Sequence, residues 1–136
     1  DPQSIVTVMQ NNPADIVKPI QGSVRGLLRS SYKLGSFDLV YASGLYDYLP
    51  TKLGAKLLER CWELVKPDGM FMFANFSDEI QTDGYMETFM DWPLILRNEA
   101  DMQEIIDAAL PTSAFKSRTY YGSNRNIVYA EVTRLN

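Results

Sequence analysis

The clearest pattern in the chain is an alternation of apolar runs with one amphipathic stretch between Phe37 and Phe76. Phe37–Ala42 (FDLVYA) is a short run of β-forming residues that stops at Ser43-Gly44. Read as apolar on both faces, it predicts a central parallel strand buried by helices. Thr51–Val65 places Leu53, Leu57, Leu58, Cys61, Trp62 and Val65 at helical spacing, with Lys52, Lys56, Glu59, Arg60 and Glu63 facing away. Thr51 is the predicted N-cap. Lys66-Pro67-Asp68-Gly69 reads as a type I turn, and Met70–Phe76 as a second apolar strand. Strand, helix and strand in this order predict a right-handed βαβ unit.

Weaker patterns flank this unit. Asp1-Pro2 suits a helix start, with Ile5, Val6, Val8 and Met9 as its apolar face. Ile16–Gln21 is a brief strand candidate despite Pro19, and Val24–Ser31 a short helix. Tyr85–Trp92 carries Tyr85, Phe89 and Trp92 on one helical face, a pattern that suits core packing better than a ligand pocket. Asn98 caps a predicted helix through Leu110, whose inward residues are Met102, Ile105, Ile106, Ala109 and Leu110; Pro111 stops it. Phe115–Tyr121 and Ile127–Leu135 alternate like strands around turn residues Gly122–Asn126, predicting an antiparallel hairpin at the end of the sheet.

Composition narrows the function classes. A chain of 136 residues is expected to form one domain, burying about two thirds of its unfolded surface. Its net charge of -4, with basic residues dispersed, argues against nucleic-acid binding through a phosphate-tracking patch. No apolar stretch reaches membrane-spanning length and no signal-peptide pattern opens the chain, so a cytoplasmic setting is expected. The single Cys61 falls on the apolar stripe of the Thr51–Val65 helix and reads as a small core residue. Histidine is absent, which removes His-based triads and the usual neutral-pH general base, and no metal site is expected.

Chemistry is expected where the Phe37–Ala42 strand ends, because open α/β sheets bind ligands outside the carboxyl ends of their strands. Ala42, Ser43, Gly44 and Leu45 are small or apolar residues that let a ligand approach the backbone, and Tyr46, Asp47 and Tyr48 follow at once. Tyr46 and Asp47 are the candidate catalytic residues, to orient an acceptor or serve as base. The plainer reading of this cluster is a solvated loop with one aromatic in the core. Gly22-Ser23-Val24, taken by itself, is a tight turn between a strand and a helix.

The order of parts, from FDLVYASG through LLERCWELVKPDG and GMFMFANF to the terminal hairpin, resembles the class I S-adenosylmethionine-dependent methyltransferases over most of Ile16–Leu135. The KPDG segment is similar to that family's Leu-Lys-Pro-Gly-Gly signature, with Asp68 where the family often has glycine. The GLYDYL and FMDWPLILR stretches resemble a bacterial subgroup linked to hydroxy-fatty-acid methyl ester synthesis. The family's glycine-rich loop and its acidic ribose-binding residue have no counterpart in this sequence. The resemblance therefore implies a partial Rossmann-like sheet, mainly parallel with a C-terminal antiparallel hairpin. It covers the C-terminal portion of a methyltransferase domain within a longer chain.

The resemblance further implies S-adenosylmethionine as cofactor and a small-molecule acceptor, with an already ionised carboxylate among the candidates. Gly22, Ser23 and Val24 match the turn that meets the adenine, with Ser23 in place of the family's aspartate. Ala42, Ser43, Gly44 and Leu45 match the segment beside the methionine end and the transferable methyl. The piece alone is expected to bind the cofactor poorly, and to self-associate through an open sheet edge. Two other readings stay open: a different nucleotide-cofactor α/β enzyme, and a non-catalytic binding or dimerisation module.

Overall fold

The computed structural model describes residues 22–29, 34–79, 94–111 and 114–135. They belong to two compact units, Asp1–Tyr32 and Lys33–Asn136. In the first unit the described element is helix α1 (Val24–Leu28), shorter than the expected Val24–Ser31. Ser23 is its N-cap: the backbone there is extended, and the hydroxyl accepts the Gly26 amide at 3.1 Å. The expected Asp1–Gln10 helix, the Ile16–Gln21 strand and the Tyr85–Trp92 stripe lie outside the described residues.

The second unit runs β1 (Phe37–Ala42), a 3-10 turn (Tyr46–Tyr48), α2 (Thr51–Trp62), β2 (Val65–Phe76), α3 (Glu99–Ala109), β3 (Phe115–Tyr121) and β4 (Ile127–Arg134). The sheet order is β1-β2-β4-β3. Strands β1 and β2 are parallel, as expected of the βαβ unit, and β3–β4 is the expected hairpin. The hairpin docks through β4, which pairs antiparallel with β2. The expectation of a mainly parallel sheet is therefore corrected, since two of the three pairings among the described strands are antiparallel.

The core lies on one face of this sheet. Phe71, Phe73 and Asn75 of β2 stand opposite Val132, Ala130 and Val128 of β4, and all six are buried. Above them pack α2, through Ala55, Leu57, Leu58, Cys61 and Trp62, and α3, through Met102, Ile105, Ile106 and Ala109. The inward face of α3 is the predicted one, and its start is a capping box in which Asn98 and Asp101 each accept the other's backbone amide. In α2 the buried stripe starts one residue later than predicted. Gly54 faces the core and Leu53 is 37% exposed. The Tyr46 ring sets this rotation: a Cβ on Gly54 would stand 3.1 Å from it, so the helix approaches with its glycine inward. Pro50, not Thr51, is the N-cap. At the other end, the Arg134 guanidinium donates to the Trp62 and Val65 carbonyls, closing the C-terminus of α2 with a cation.

Two sequence expectations fail at β1 and at the KPDG segment. β1 is the edge of the described sheet and not its centre, with Phe37, Leu39 and Tyr41 exposed at 43%, 51% and 67%. Leu39 and Tyr41 share a face with Met70 and Met72, opposite the face that carries the two helices. Lys66–Gly69 is not a free turn; it lies inside β2 as an irregularity between the Phe37–Val65 and Leu39–Met70 pairings. Asp68 takes φ +67°, a left-handed conformation that asparagine, aspartate and glycine tolerate best. Gly69 is required by space instead. A Cβ there would meet the Asp38 and Lys66 carbonyl oxygens at 2.9 Å and that of Phe37 at 3.1 Å.

Adjacent residues should therefore respond oppositely. Gly69→Ala is expected to destabilise by about 1–3 kcal/mol, because rigid backbone must shift. Asp68→Gly is expected to stay within about 1 kcal/mol of the parent, strain relief offsetting the added freedom of the unfolded chain. Urea unfolding of the two variants checks this, and equal losses would contradict the assigned geometry.

Candidate functional site

Beyond Ala42 the chain leaves the carboxyl end of β1 through Ser43 and Gly44, both exposed. Gly44 takes φ +72°, and a Cβ built on it would find no protein atom within 4 Å. Glycine is needed here for conformation, and the space over it is open. The turn Tyr46–Tyr48 then folds back under α2.

This loop and the end of β2 enclose a recess of about 130 Å³. Ser43, Gly44 and Asp47 line it from the loop, Ala74, Asn75 and Phe76 from β2, and Ile127 from β4. It is smaller than the roughly 300–1,000 Å³ of a pocket that encloses a drug-sized ligand. It has room for only part of such a ligand.

Of the two candidate catalytic residues, Asp47 lines the recess and Tyr46 does not. Tyr46 is fully buried, packs on Phe73 with ring centroids 4.5 Å apart, and donates its hydroxyl to the Gly54 carbonyl at 3.0 Å. Burial holds that phenol well above its ordinary pKa, which suits a core residue and not a base. The expectation that Tyr46 meets an acceptor is corrected on this geometry. Tyr48 is 46% exposed. Ala42 and Leu45 flank the recess without lining it. Gly22, Ser23 and Val24 belong to the other unit, where the Ser23 hydroxyl caps α1.

Asp47 is held from several sides. Its Oδ1 accepts the Phe76 amide at 2.6 Å, and its carbonyl accepts the Ile95 amide at 2.7 Å. Burial raises its carboxyl above the ordinary value, opposed by hydrogen bonds from the Phe76 amide and its own amide and by the positive charge of Arg97.

The sequence reading missed Arg97. It is 1% exposed, and its guanidinium donates to the Tyr46 carbonyl at 2.7 Å, to Asn75 Oδ1 at 2.8 Å and to the Leu49 carbonyl. Asn75, also buried, uses its amide nitrogen on the Ile95 carbonyl at 2.7 Å and the Phe76 carbonyl at 3.0 Å. The one signal available was an arginine directly after the apolar run Leu94-Ile95-Leu96 and directly before the Asn98 cap.

Cys61 is the core residue that its position on the stripe implied: burial pushes its thiol up to about 11, away from reactivity. No helix among the described residues is long and apolar enough to cross a membrane.

No family model matches the chain, and no curated protein matches it. Solved structures do. OxaC in complex with sinefungin and meleagrin superposes with a TM-score of 0.69 at 16% identity, covering 97% of this chain and 34% of that one. An O-methyltransferase family protein from Burkholderia thailandensis gives 0.66 at 15% identity, over 98% of this chain and 40% of that one. Magnesium protoporphyrin IX methyltransferase from Synechocystis PCC 6803, solved with bound SAH, gives 0.53 at 16% identity, over 79% of this chain and 48% of that one. The chain shares its fold with part of these structures, two of which are named as methyltransferases, and it spans a third to a half of their length.

The raised Asp47 carboxyl sets a pH dependence. Between its ordinary 3.8 and its higher folded value, the native state binds more protons than the unfolded state, so stability falls as pH rises through that window. Asp47→Asn keeps an oxygen for the Phe76 amide and removes the titration. Urea unfolding of this variant from pH ~4 to ~7 should lack the descending limb and match or exceed the parent at neutral pH. A variant less stable than the parent across the whole range would contradict the assignment.

Proposed function

We propose that this chain carries the methyl-transfer side of an S-adenosylmethionine-dependent methyltransferase acting on a small-molecule acceptor. The observation that carries the reading is Gly44: a left-handed glycine with open space above it, at the carboxyl end of a parallel strand, beside a recess that holds a buried carboxylate. The methyltransferase fold of the neighbouring structures supports it.

Ser43 and Gly44 would hold the methionine end of the cofactor, whose backbone-level approach a side chain at Gly44 would block. The recess has room for only part of the cofactor. S-adenosylmethionine, when bound, supplies a methyl group already activated on sulfur. What the protein adds is alignment, which alone can be worth several kcal/mol, and a group to take a proton where the acceptor carries one. Asp47 is that group. A hydroxyl acceptor needs it; an ionised carboxylate acceptor, the class the subgroup resemblance favours, does not.

Gly44→Ala tests the cofactor assignment. The new methyl meets no protein atom, so the stability loss should be limited to about 1–2 kcal/mol from the left-handed backbone. S-adenosylhomocysteine affinity, by titration calorimetry, should fall about tenfold to a hundredfold because the methyl intrudes on the ligand. Unchanged affinity would remove Gly44 from the site, and no binding by the full-length protein that carries this chain would remove the reading. Asp47→Asn then sorts the acceptor: the single-turnover rate should fall by roughly 10²–10⁴ if a proton must leave and change little if the acceptor is a carboxylate.

A second reading, a binding or dimerisation module, is favoured by the exposed row Phe37, Leu39 and Tyr41 on the edge strand β1. On this reading the protein self-associates, and replacing Leu39 and Tyr41 by lysine should return it to monomer in light scattering. A parent protein that is monomeric at all concentrations excludes it.

A further inference from the structure

We propose that Arg97 is the positioning residue of this site, a buried fork that fixes the loop after β1 against the end of β2. The proposal deepens the reading above for the same recess, but its central measurement does not depend on any ligand.

The guanidinium reaches both ends of the 3-10 turn at once, donating to the Tyr46 and Leu49 carbonyls. These are the residues that bracket Asp47. Its third bond, to Asn75 Oδ1, grips the opposite wall of the recess. The backbone on either side of Arg97 continues the stitching. The Ile95 amide donates to the Asp47 carbonyl at 2.7 Å, and the Arg97 amide to the Phe76 carbonyl at 3.0 Å. Arg97 and Ser77 also form a parallel bridge. Asn75 through its side chain and Asp47 through its backbone carbonyl are thus both held by this one segment.

Stability alone is a poor account of such a residue. A charge withdrawn from water costs several kcal/mol, and an apolar side chain of similar volume often serves the fold as well or better. Among the described residues no carboxylate pairs with Arg97; its charge is met by carbonyl oxygens. What the planar fork supplies is direction: several donors in fixed geometry, which a lysine with one ammonium cannot reproduce. The loop is also held by the buried Tyr46 ring and by Asp47 Oδ1 on the Phe76 amide, but of its contacts only Arg97 joins both ends of the turn to Asn75.

The test is native-state hydrogen exchange on the parent, Arg97→Lys, and a core control, Val132→Ala, at matched global stability. In the parent, the Tyr48, Leu49 and Ile95 amides should exchange as one unit, since all three close around the residues Arg97 and its neighbours hold. In Arg97→Lys their exchange should rise by about tenfold or more beyond that in Val132→Ala, the size of one lost hydrogen bond to a charged group. S-adenosylhomocysteine affinity should fall with it in Arg97→Lys and not in Val132→Ala. Exchange raised equally in both variants, or three amides that exchange independently in the parent, would overturn the proposal. If Arg97→Lys does not fold, the parent experiment still decides. A full-length protein that binds no S-adenosylhomocysteine, together with the selective loop effect, keeps Arg97 as the positioning residue and ends the methyltransferase reading. Normal binding without the loop effect does the reverse.

Discussion

A guanidinium buried with no carboxylate in hydrogen-bond contact takes its direct partners from fixed dipoles, and Arg97 finds them in carbonyls of the turn after β1. That requirement runs through the structure. The Tyr46 carbonyl can serve Arg97 only if Tyr46 itself is locked, and it is locked by burial against Phe71 and Phe73 and by its hydroxyl on Gly54. Gly54 can accept that hydroxyl only because α2 comes in with no side chain at that position. The segment Leu94–Asn98 must in turn run along the end of β2 to deliver the guanidinium, and it then starts α3 through the Asn98 capping box. Loop, helix, sheet end and second helix start are therefore one connected arrangement.

The sheet shows the same dependence on close approach. Parallel pairing of β1 with β2 tolerates the extra residues Lys66–Gly69 because Gly69 can stand 2.9 Å, at a notional Cβ, from two backbone carbonyls. Past that point the register is regular, and it carries Ala42 beside Phe73 and the exit of β1 beside Ala74 and Asn75. The recess is thus a product of register. A slip of one residue would send Asn75 to the opposite face and leave Arg97 without its partner on β2.

What could be read from the sequence follows from the range over which each feature is determined. The helices α2 and α3, the parallel β1–β2 pair and the β3–β4 hairpin rest on local periodicity and turn residues, and they were legible. The loop after β1 was legible as a site by its position at a strand end. Which of its side chains faces inward was not, because that depends on a 3-10 turn whose orientation is set by Gly54 and Arg97. Arg97 lies 51 residues from Tyr46, and no local pattern links them. The burial of β1 was misread for a related reason. An apolar run looks the same whether its covering layer is present or not, and here both helices among the second unit's described residues lie on the other face. The mainly parallel sheet failed because the hairpin's docking strand, β4, sits next to β2 and adds two antiparallel pairings.

Asp47 shows how structure and chemistry are reconciled at one carboxylate. Burial raises its proton affinity, which is the direction a general base needs at neutral pH. The Phe76 amide and the Arg97 charge oppose that shift. Oδ1 is committed to the Phe76 amide, so a proton taken from an acceptor has to go to the second oxygen. On the proposed reading, division of labour between the two oxygens would let the residue hold the loop and accept a proton in the same geometry. Replacement by asparagine separates the two roles, since the amide oxygen can keep the structural bond while no proton can be accepted. If the acceptor carries a proton, that variant should lose rate without losing stability; if the acceptor is an ionised carboxylate, it should lose neither.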